Sequence, residues 1–305
     1  MTAPTFTIPD AFARHTVEAF GEAGSAWLHT LPSRITDLSR RWGLTLGEPF
    51  GLSYNYVAPA RRADGTEAVF KSGVIGDEVQ REINALRRYN GDGMCRLLEV
   101  DDESGAMLLE RLRPGDMLVP MARTDDEAAT RIAAQVMQKL WRPVEAEEAF
   151  LPIAQWFAQA FDHHRREYGG PGPFPAAIIT RAEALVGELL ASAPREVLLH
   201  GDFHHYNVLT AERAPWLAID PKGVTGDPGY DVGQFMLNPD LGGDQLQPDV
   251  IRRRLDVFAE ELRYDRARLG DWAFVQAVMS ACWSAENHGD DWQEAIALAQ
   301  TLLEL

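Results

Sequence analysis

The most constraining feature of this 305-residue sequence is a short β-rich insert within a long helical stretch. From residue 125 onward, apolar side chains recur at helical spacing. This spacing predicts helices at 125–141, 145–167, 175–192, 248–263, 265–286 and 290–304. Two apolar runs, 197–199 and 216–219, interrupt the pattern on either side of the polar segment 200–209 and predict a hairpin. Few folds hold such a polar hairpin inside a helical domain.

The insert carries two acids and an amide at a spacing that suits phosphoryl transfer. Asp202 and Asn207 are five residues apart directly after the first apolar run, and Asp220 follows the second run. Transfer from ATP needs one carboxylate to accept a hydroxyl proton, and an amide oxygen with a second carboxylate to hold Mg²⁺. We therefore predict an ATP-dependent kinase with Asp202 as catalytic base and Asn207 and Asp220 as Mg²⁺ ligands.

Two other interpretations of the insert stay open. One is that its acids are turn and cap residues, which are common singly. The other is a metal-dependent hydrolase, because His200, Asp202, His204 and His205 are all metal-ligand types. No second cluster completes such a site, since the adjacent pair His163 and His164 is predicted on a helix, where neighbours point about 100° apart.

Residues 47–112 have a strand-like pattern instead of the helical spacing seen from residue 125 onward. They predict a β-β-β-α-β-β unit. The segments are strands at 49–57 and 67–70, a turn at Asp64-Gly65, a helix at 77–89, and strands at 94–100 and 105–110. Helices at 11–20 and 25–42, broken near Leu31-Pro32, precede this unit. The prediction is an α+β, two-lobed, protein-kinase-like fold: an N-terminal helical extension at 1–46, a small antiparallel-sheet N-lobe at 47–112, and a mostly helical C-lobe at 113–305.

The N-lobe should supply the nucleotide contacts. Lys71 ends a predicted strand, where a kinase places the lysine that holds the α- and β-phosphates. Glu82 lies at the edge of the apolar stripe of the next helix and is the predicted partner of that lysine. The loop around Ser53 would cover the phosphates, and backbone groups at Glu110 and Leu112 would meet adenine. Each of these residues also fits an ordinary strand, loop or surface position.

Composition limits the partners and the compartment. A formal net charge of −17 would repel nucleic acid and anionic membranes, so a small cationic substrate is favoured, although acidity also serves solubility alone. The sequence has only two cysteines, too few for a disulfide framework. No signal peptide or spanning apolar run is recognisable, so we expect a cytoplasmic protein, with no protein partner evident.

The same segments resemble the aminoglycoside/hydroxyurea phosphotransferase family, most closely its streptomycin 6-kinase branch. The likeness is densest at 108–115, 200–209 and 216–231, and the Asp-Pro-Lys-Gly run that begins at Asp220 is similar to the one this branch uses where protein kinases have Asp-Phe-Gly. The resemblance implies that Asp231 holds the catalytic loop and that His200 has a structural, hydrogen-bonded role.

The resemblance also implies an acceptor. That acceptor is an aminoglycoside, with streptomycin phosphorylated at the 6-position of its streptidine ring as the most specific expectation. Carboxylates suit guanidinium groups and tryptophan faces suit cations. A candidate substrate site with both is formed by Trp283, Glu286, Asp290 and Asp291. The alternative is a solvated helix end in which the two aspartates cap the next helix.

Two further functions remain open at this stage. The chain could phosphorylate another small alcohol or metabolite. It could also be a nucleotide-binding pseudokinase, although the presence of all four predicted nucleotide and catalytic residues argues against that. These residues are Lys71, Asp202, Asn207 and Asp220.

Overall fold

The computed structural model of the chain describes residues 8–145, 149–239, 247–286 and 292–305. The chain divides into two compact units, Met1–Arg113 and Pro114–Leu305. The division falls where the sequence pattern changes from strand-like to helical. Within the described residues, no helix combines the length and the apolar character needed to cross a membrane.

The first unit is built on one antiparallel sheet. Its elements are α1 (Asp10–Trp42), β1 (Leu44–Leu46), β2 (Tyr56–Arg62), β3 (Glu67–Ser72), α2 (Asp77–Tyr89), β4 (Leu97–Asp101) and β5 (Ala106–Glu110). The strand order is β1-β2-β3-β5-β4, and every neighbouring pair is antiparallel. The predicted five-stranded antiparallel sheet with one helix after its third strand is present, but its first strand, β1, comes before residue 47, so the predicted range 47–112 supplies only four of the five strands.

The turn between β2 and β3 is the predicted one. Gly65 has a positive φ of 88°, a conformation that glycine adopts without steric cost. Its N–H donates to the Arg62 carbonyl at 2.9 Å, and the Arg62 N–H donates to the Thr66 carbonyl at 2.8 Å. These bonds fix the register that places Lys71 opposite Val57.

The strand predicted at 49–57 is wrong in its first part. Residues 51–55 form a loop, and β2 begins only at Tyr56. The hairpin of β1 and β2 extends up to this loop, because the Phe50 N–H donates to the Val57 carbonyl at 2.9 Å. Short polar residues and a glycine at 51–55 favour a hairpin tip over a continuous strand.

The N-terminal helix bends at a glycine rather than at its proline. We expected the break near Leu31-Pro32, but Pro32 lies inside α1 and the non-helical residue is Gly21, with φ 55° and ψ −130°. The rings of Phe12 and Trp27 lie 6.0 Å apart. A straight helix would separate residues fifteen positions apart by about 22 Å. The arm 10–20 therefore folds back on the rest of α1, which shares its core with the sheet.

The second unit is mostly helical and contains two small sheets. Its elements are β6 (Pro114–Met117), α3 (Val119–Thr124), α4 (Asp126–Leu140), β7 (Leu151–Pro152), α5 (Ile153–Tyr168), α6 (Ala176–Ala191), β8 (Val197–Leu199), β9 (Val208–Ala211), β10 (Trp216–Ala218), β11 (Val224–Gly226), α7 (Gly229–Met236), α8 (Pro248–Leu262), α9 (Arg266–Glu286) and α10 (Trp292–Glu304). The sheet orders are β10-β9-β6 and β7-β11-β8. The six predicted helices are present, with α5 beginning eight residues late because Leu151–Pro152 pairs with β11 instead.

The short helix α7 was not predicted, and two glycines explain how it fits. A Cβ added to Gly233 would lie 2.7 Å from the Trp272 carbonyl oxygen on α9. A Cβ added to Gly229 would lie 2.3 Å from the Trp272 ring. Only glycine permits this approach of α7 to the fully buried Trp272, which stands in the core of the unit. The position of α7 is thus fixed by backbone packing.

Alanine substitutions at two exposed glycines should change the free energy of unfolding in opposite directions. Gly21→Ala should lower the free energy of unfolding by about 1–3 kcal/mol, because an L-residue is strained at that φ and ψ. Gly187→Ala, in the exposed middle of α6 with no atom within 4 Å of the added Cβ, should raise it by up to about 1 kcal/mol. Urea titration of both variants measures these changes. Equal effects of the two substitutions would contradict the assigned bend.

Candidate active site

One buried carboxylate holds the start of the loop between β8 and β9. Asp231 on α7 is fully buried and accepts hydrogen bonds from the backbone N–H of His200 (3.0 Å) and Gly201 (2.9 Å). The indole N–H of Trp141 donates to the same carboxylate at 3.1 Å. Burial raises the pKa of Asp231 to about 6, and the three N–H donors oppose this rise. Two consecutive loop amides bound to one carboxylate leave the loop little freedom.

The side chain of His200 is fixed as a neutral ring. Its Nε2 lies 2.8 Å from the Ile219 carbonyl, and the Asp202 N–H donates to its Nδ1 at 3.2 Å. A carbonyl only accepts, so Nε2 carries the proton and Nδ1 accepts. Burial lowers the pKa of His200 to about 4, which keeps it neutral near pH 7. Both nitrogens are engaged within the protein and neither is available to a metal.

The cluster that a metal-dependent hydrolase would need is not assembled. His200 is removed from it by its two backbone contacts, and His205 is fully buried with its ring stacked on Phe235, which leaves only Asp202 and His204. Across the described parts of the chain, no group of three or more His, Cys, Asp or Glu side chains is arranged to hold a metal. The hydrolase interpretation therefore lacks its ligand set.

A hairpin brings the two predicted metal ligands to the loop. Antiparallel pairing of β9 with β10 continues past the strands, because the Ile219 N–H donates to the Asn207 carbonyl at 3.0 Å. Asp220 is the next residue and has a positive φ of 62°, which aspartate tolerates better than most residues. The Asn207 amide nitrogen donates to the Asp202 carbonyl at 3.0 Å and lies 3.3 Å from His204 Nε2. The pairing thus places Asp220 one residue beyond the strand partner of Asn207, whose side chain contacts the Asp202 backbone.

The carboxylate of Asp202 is held ionised. Its Oδ1 accepts from Gln234 Nε2 at 3.0 Å and lies 3.5 Å from His204 Nε2. Burial alone would raise the pKa of Asp202, but the hydrogen bond and charge of His204, with the charge of Lys222, outweigh burial and lower it. An ionised, half-buried carboxylate at the mouth of a fixed loop can accept a proton.

The first unit forms the predicted lysine–glutamate pair. Lys71 Nζ on β3 lies 2.6 Å from Glu82 Oε1 on α2, and the two side chains are only 6% and 8% exposed. Desolvating two charges costs about as much as their attraction returns, so stability alone is a weak reason to keep such a pair. The pair does fix the ammonium of Lys71 at the end of a central strand.

The other predicted nucleotide contacts lie around the same sheet. Ser53 is exposed in the tip loop 51–55. Glu110 ends β5, and its N–H already donates to the Arg96 carbonyl at 2.8 Å. Leu112 is buried two residues later, and among the described residues no hydrogen bond from its N–H is found. The Glu110 N–H is therefore engaged within the protein, and contact of this segment with adenine stays a prediction.

The predicted substrate residues are placed only in part. Glu286 ends α9, and its carboxylate oxygens lie 3.6 Å from His163 Nε2 and 3.8 Å from His164 Nδ1 on α5. Burial raises the pKa of Glu286, with His163 opposing. Trp283 packs edge-on against Trp156 at 6.0 Å. Asp290 and Asp291 lie outside the described residues.

Comparison with known proteins identifies the family. A family model described as "Aminoglycoside/hydroxyurea antibiotic resistance kinase" matches residues 41–288. The chain is 34% identical to a streptomycin 6-kinase of Streptomyces glaucescens, covering 99% of the chain and 98% of that protein. It is 33% identical to a hydroxyurea phosphotransferase of Kitasatospora aureofaciens, covering 93% and 82%. The chain belongs to the aminoglycoside/hydroxyurea antibiotic resistance kinase family.

Solved structures show the fold of this antibiotic resistance kinase. A thermostable mutant of aminoglycoside phosphotransferase APH(4)-Ia, crystallised with ADP and hygromycin B, superposes with a TM-score of 0.63 at 16% identity, covering 88% of the chain and 97% of that structure. The predicted protein-kinase-like α+β fold is confirmed. As a member of the family, the chain is a nucleotide-dependent phosphotransferase with an alcohol group as acceptor.

Sequence reasoning missed several residues of this kinase site. Gln234 lies on α7, a helix of eight residues with two glycines that gives almost no periodic signal. Trp141 follows α4 and carries no local cue to its contact with Asp231. The expectation that His163 and His164 point apart overlooked that one carboxylate, Glu286, can lie between both rings.

Replacing His200 should reduce the acid sensitivity of the kinase. The folded pKa is about 4 and the ordinary value is 6.5, so between these values the unfolded chain binds a proton that the folded chain excludes. Stability from this residue is therefore lost as the pH falls through that window, by about 3 kcal/mol in total. Urea unfolding at pH 7.5 and 4.5 measures the free energy of unfolding at each pH. Its decrease between the two should be smaller in His200→Asn than in the wild type.

Exposed His29 on α1 provides the matched control, and His29→Asn should keep the wild-type loss. The raised pKa of Asp231 acts in the opposite direction, but that residue is present in all three proteins and cancels in the comparison. An unchanged acid dependence in His200→Asn would contradict the neutral, buried state of this ring.

Proposed function

We propose that this kinase transfers the γ-phosphoryl group of ATP directly to a hydroxyl of an aminoglycoside, with streptomycin as acceptor at its 6-position. The observation that carries the proposal is the ionised Asp202 carboxylate on a loop that also carries Asn207, to which the pairing of β9 with β10 brings the residue before Asp220. The 34% identity to a streptomycin 6-kinase, over nearly the whole of both chains, supports the choice of acceptor.

Asp202 acts as the catalytic base in this proposal. It orients the acceptor hydroxyl and takes its proton as the oxygen bonds to phosphorus. The phosphoryl group passes in line, without a phosphoenzyme. Because such transition states are loose, correct positioning and neutralised charge contribute more to the rate than the basicity of the carboxylate does.

Asn207 and Asp220 would hold Mg²⁺. The amide nitrogen of Asn207 is bound to the Asp202 carbonyl, which leaves its amide oxygen for a metal. An amide oxygen and a carboxylate are the hard oxygen ligands that Mg²⁺ prefers beside phosphates. Mg²⁺, when bound, would neutralise charge on the phosphates.

The first unit would bind the nucleotide. The ammonium of Lys71, fixed by Glu82, suits the α- and β-phosphates, and the tip loop with Ser53 would cover them. The Leu112 N–H and the backbone around Glu110 would meet adenine. In the second unit, Glu286 and Trp283 would bind the cationic groups of the acceptor, with Asp290 and Asp291 as further predicted acids.

Two isosteric substitutions separate the proposed roles. Asp202→Asn should leave the Kd for Mg·ATP nearly unchanged and reduce kcat by about 10²–10⁴, the usual effect of losing a general base. Asp220→Asn should instead weaken Mg·ATP binding, because a negative metal ligand is lost. A coupled ADP assay with streptomycin measures kcat, and isothermal titration calorimetry measures Kd.

Exposed Asp249→Asn on α8 serves as control and should behave as wild type. Wild-type turnover in Asp202→Asn would rule out the base assignment. If near-ultraviolet circular dichroism shows that both site variants have lost their native packing, the two residues are structural instead.

The acceptor site is tested by Glu286→Gln. A charge-assisted hydrogen bond contributes about 1.5–3 kcal/mol, so the KM for streptomycin should rise roughly 10- to 100-fold while the KM for ATP stays constant. Exposed Glu304→Gln is the control. An unchanged KM would remove Glu286 from the site. Turnover of hydroxyurea or a neutral alcohol without turnover of streptomycin would overturn the acceptor and leave the kinase assignment intact.

A further inference from the structure

The two oxygens of the Asp202 carboxylate have different surroundings. Both side-chain contacts fall on Oδ1, from Gln234 Nε2 at 3.0 Å and His204 Nε2 at 3.5 Å. Within the described part of the chain, no hydrogen bond to Oδ2 is found. The side chain of Asp202 is about a quarter exposed, at 26%, so an incoming group can reach it.

The Gln234 side chain projects from a helix that already holds the loop. Asp231, three residues earlier, binds the backbone N–H groups of His200 and Gly201. Residues three apart lie on the same side of a helix. Helix α7 therefore contacts the loop at two points. Asp231 binds the backbone of the loop, and Gln234 binds the Asp202 carboxylate. Close packing of Gly233 on Trp272 fixes this helix.

The chemistry of glutamine suits this contact. The terminal torsion of an aspartate is broad, so a carboxylate without a fixed donor turns readily. An amide N–H fixes the plane of the carboxylate and adds no charge. A lysine or arginine in that place would lower the pKa of Asp202 and make it a weaker base.

We propose that Gln234 is a positioning residue that holds Oδ1 of Asp202, so that Oδ2 is the oxygen that accepts the proton of the acceptor hydroxyl. This inference rests on the proposed function, in which Asp202 is the base. In the step, the O–H bond of the acceptor breaks and its proton goes to Oδ2. The oxygen bonds to the γ-phosphorus of ATP, and the bond from that phosphorus to the β-bridging oxygen breaks, releasing ADP.

Two substitutions test the inference in a coupled ADP assay with streptomycin. Gln234→Met keeps the length of the side chain but removes the donor. Because a hydrogen bond to a charged group contributes about 1.5–3 kcal/mol, kcat should fall roughly 10- to 100-fold, with the KM for ATP unchanged. Gln234→Glu sets a like charge beside Asp202, so the acid limb of the kcat/KM profile should move to higher pH. A role in packing alone, without contact between Gln234 and Asp202, would leave that limb unmoved.

The double variant Gln234→Met, Asp202→Asn distinguishes the two levels of the account. If Gln234 acts through Asp202, the double variant should be no slower than Asp202→Asn alone. Wild-type turnover in Asp202→Asn would overturn the proposed function itself. An inactive Asp202→Asn together with wild-type kcat in Gln234→Met and an unmoved pH limb in Gln234→Glu would overturn only the positioning role. Exposed Gln300→Met on α10 is the control and should match wild type.

Discussion

The geometry of this site depends on one buried charge, the carboxylate of Asp231. A carboxylate can remain in a protein interior only when donors replace the water it has lost. Here those donors are the indole of Trp141 and two successive amides of the loop between β8 and β9. The requirement to satisfy the charge is therefore also what fixes the loop. Because α7 packs through glycine backbone on Trp272, the charge itself cannot shift.

The loop that Asp231 fixes holds its titratable residues in different charge states. His200 is buried, neutral and bound through both ring nitrogens, so it contributes shape and no charge. Asp202, two residues later, stays ionised because nearby positive groups outweigh its burial. The hairpin then pairs Asn207 with Ile219, the residue before Asp220, through a backbone bond. The proposed base and the two proposed Mg²⁺ ligands therefore come from one loop and one hairpin.

The sequence predicts the parts of this architecture that follow from local residue patterns. The stripe of α2 indicated Glu82 as partner of Lys71, and the structure brings the two together because a 3.6-residue period determines which side chains face the sheet. Local patterns failed where the deciding contact is distant. Pro32 was expected to break α1, but the helix bends at Gly21 instead, which lets Phe12 reach Trp27. Likewise nothing near Gln234 reveals that it meets a carboxylate thirty-two residues upstream.

The most direct test of the account is the position of the metal in a crystal grown with Mn²⁺ and a non-hydrolysable ATP analogue. Anomalous scattering locates Mn²⁺ independently of any assumed mechanism. The account predicts a peak bound by the amide oxygen of Asn207 and the carboxylate of Asp220, with Asp202 outside the coordination sphere and still bonded to Gln234. A peak bound by Asp202 and His204, with Asn207 and Asp220 unengaged, would contradict it.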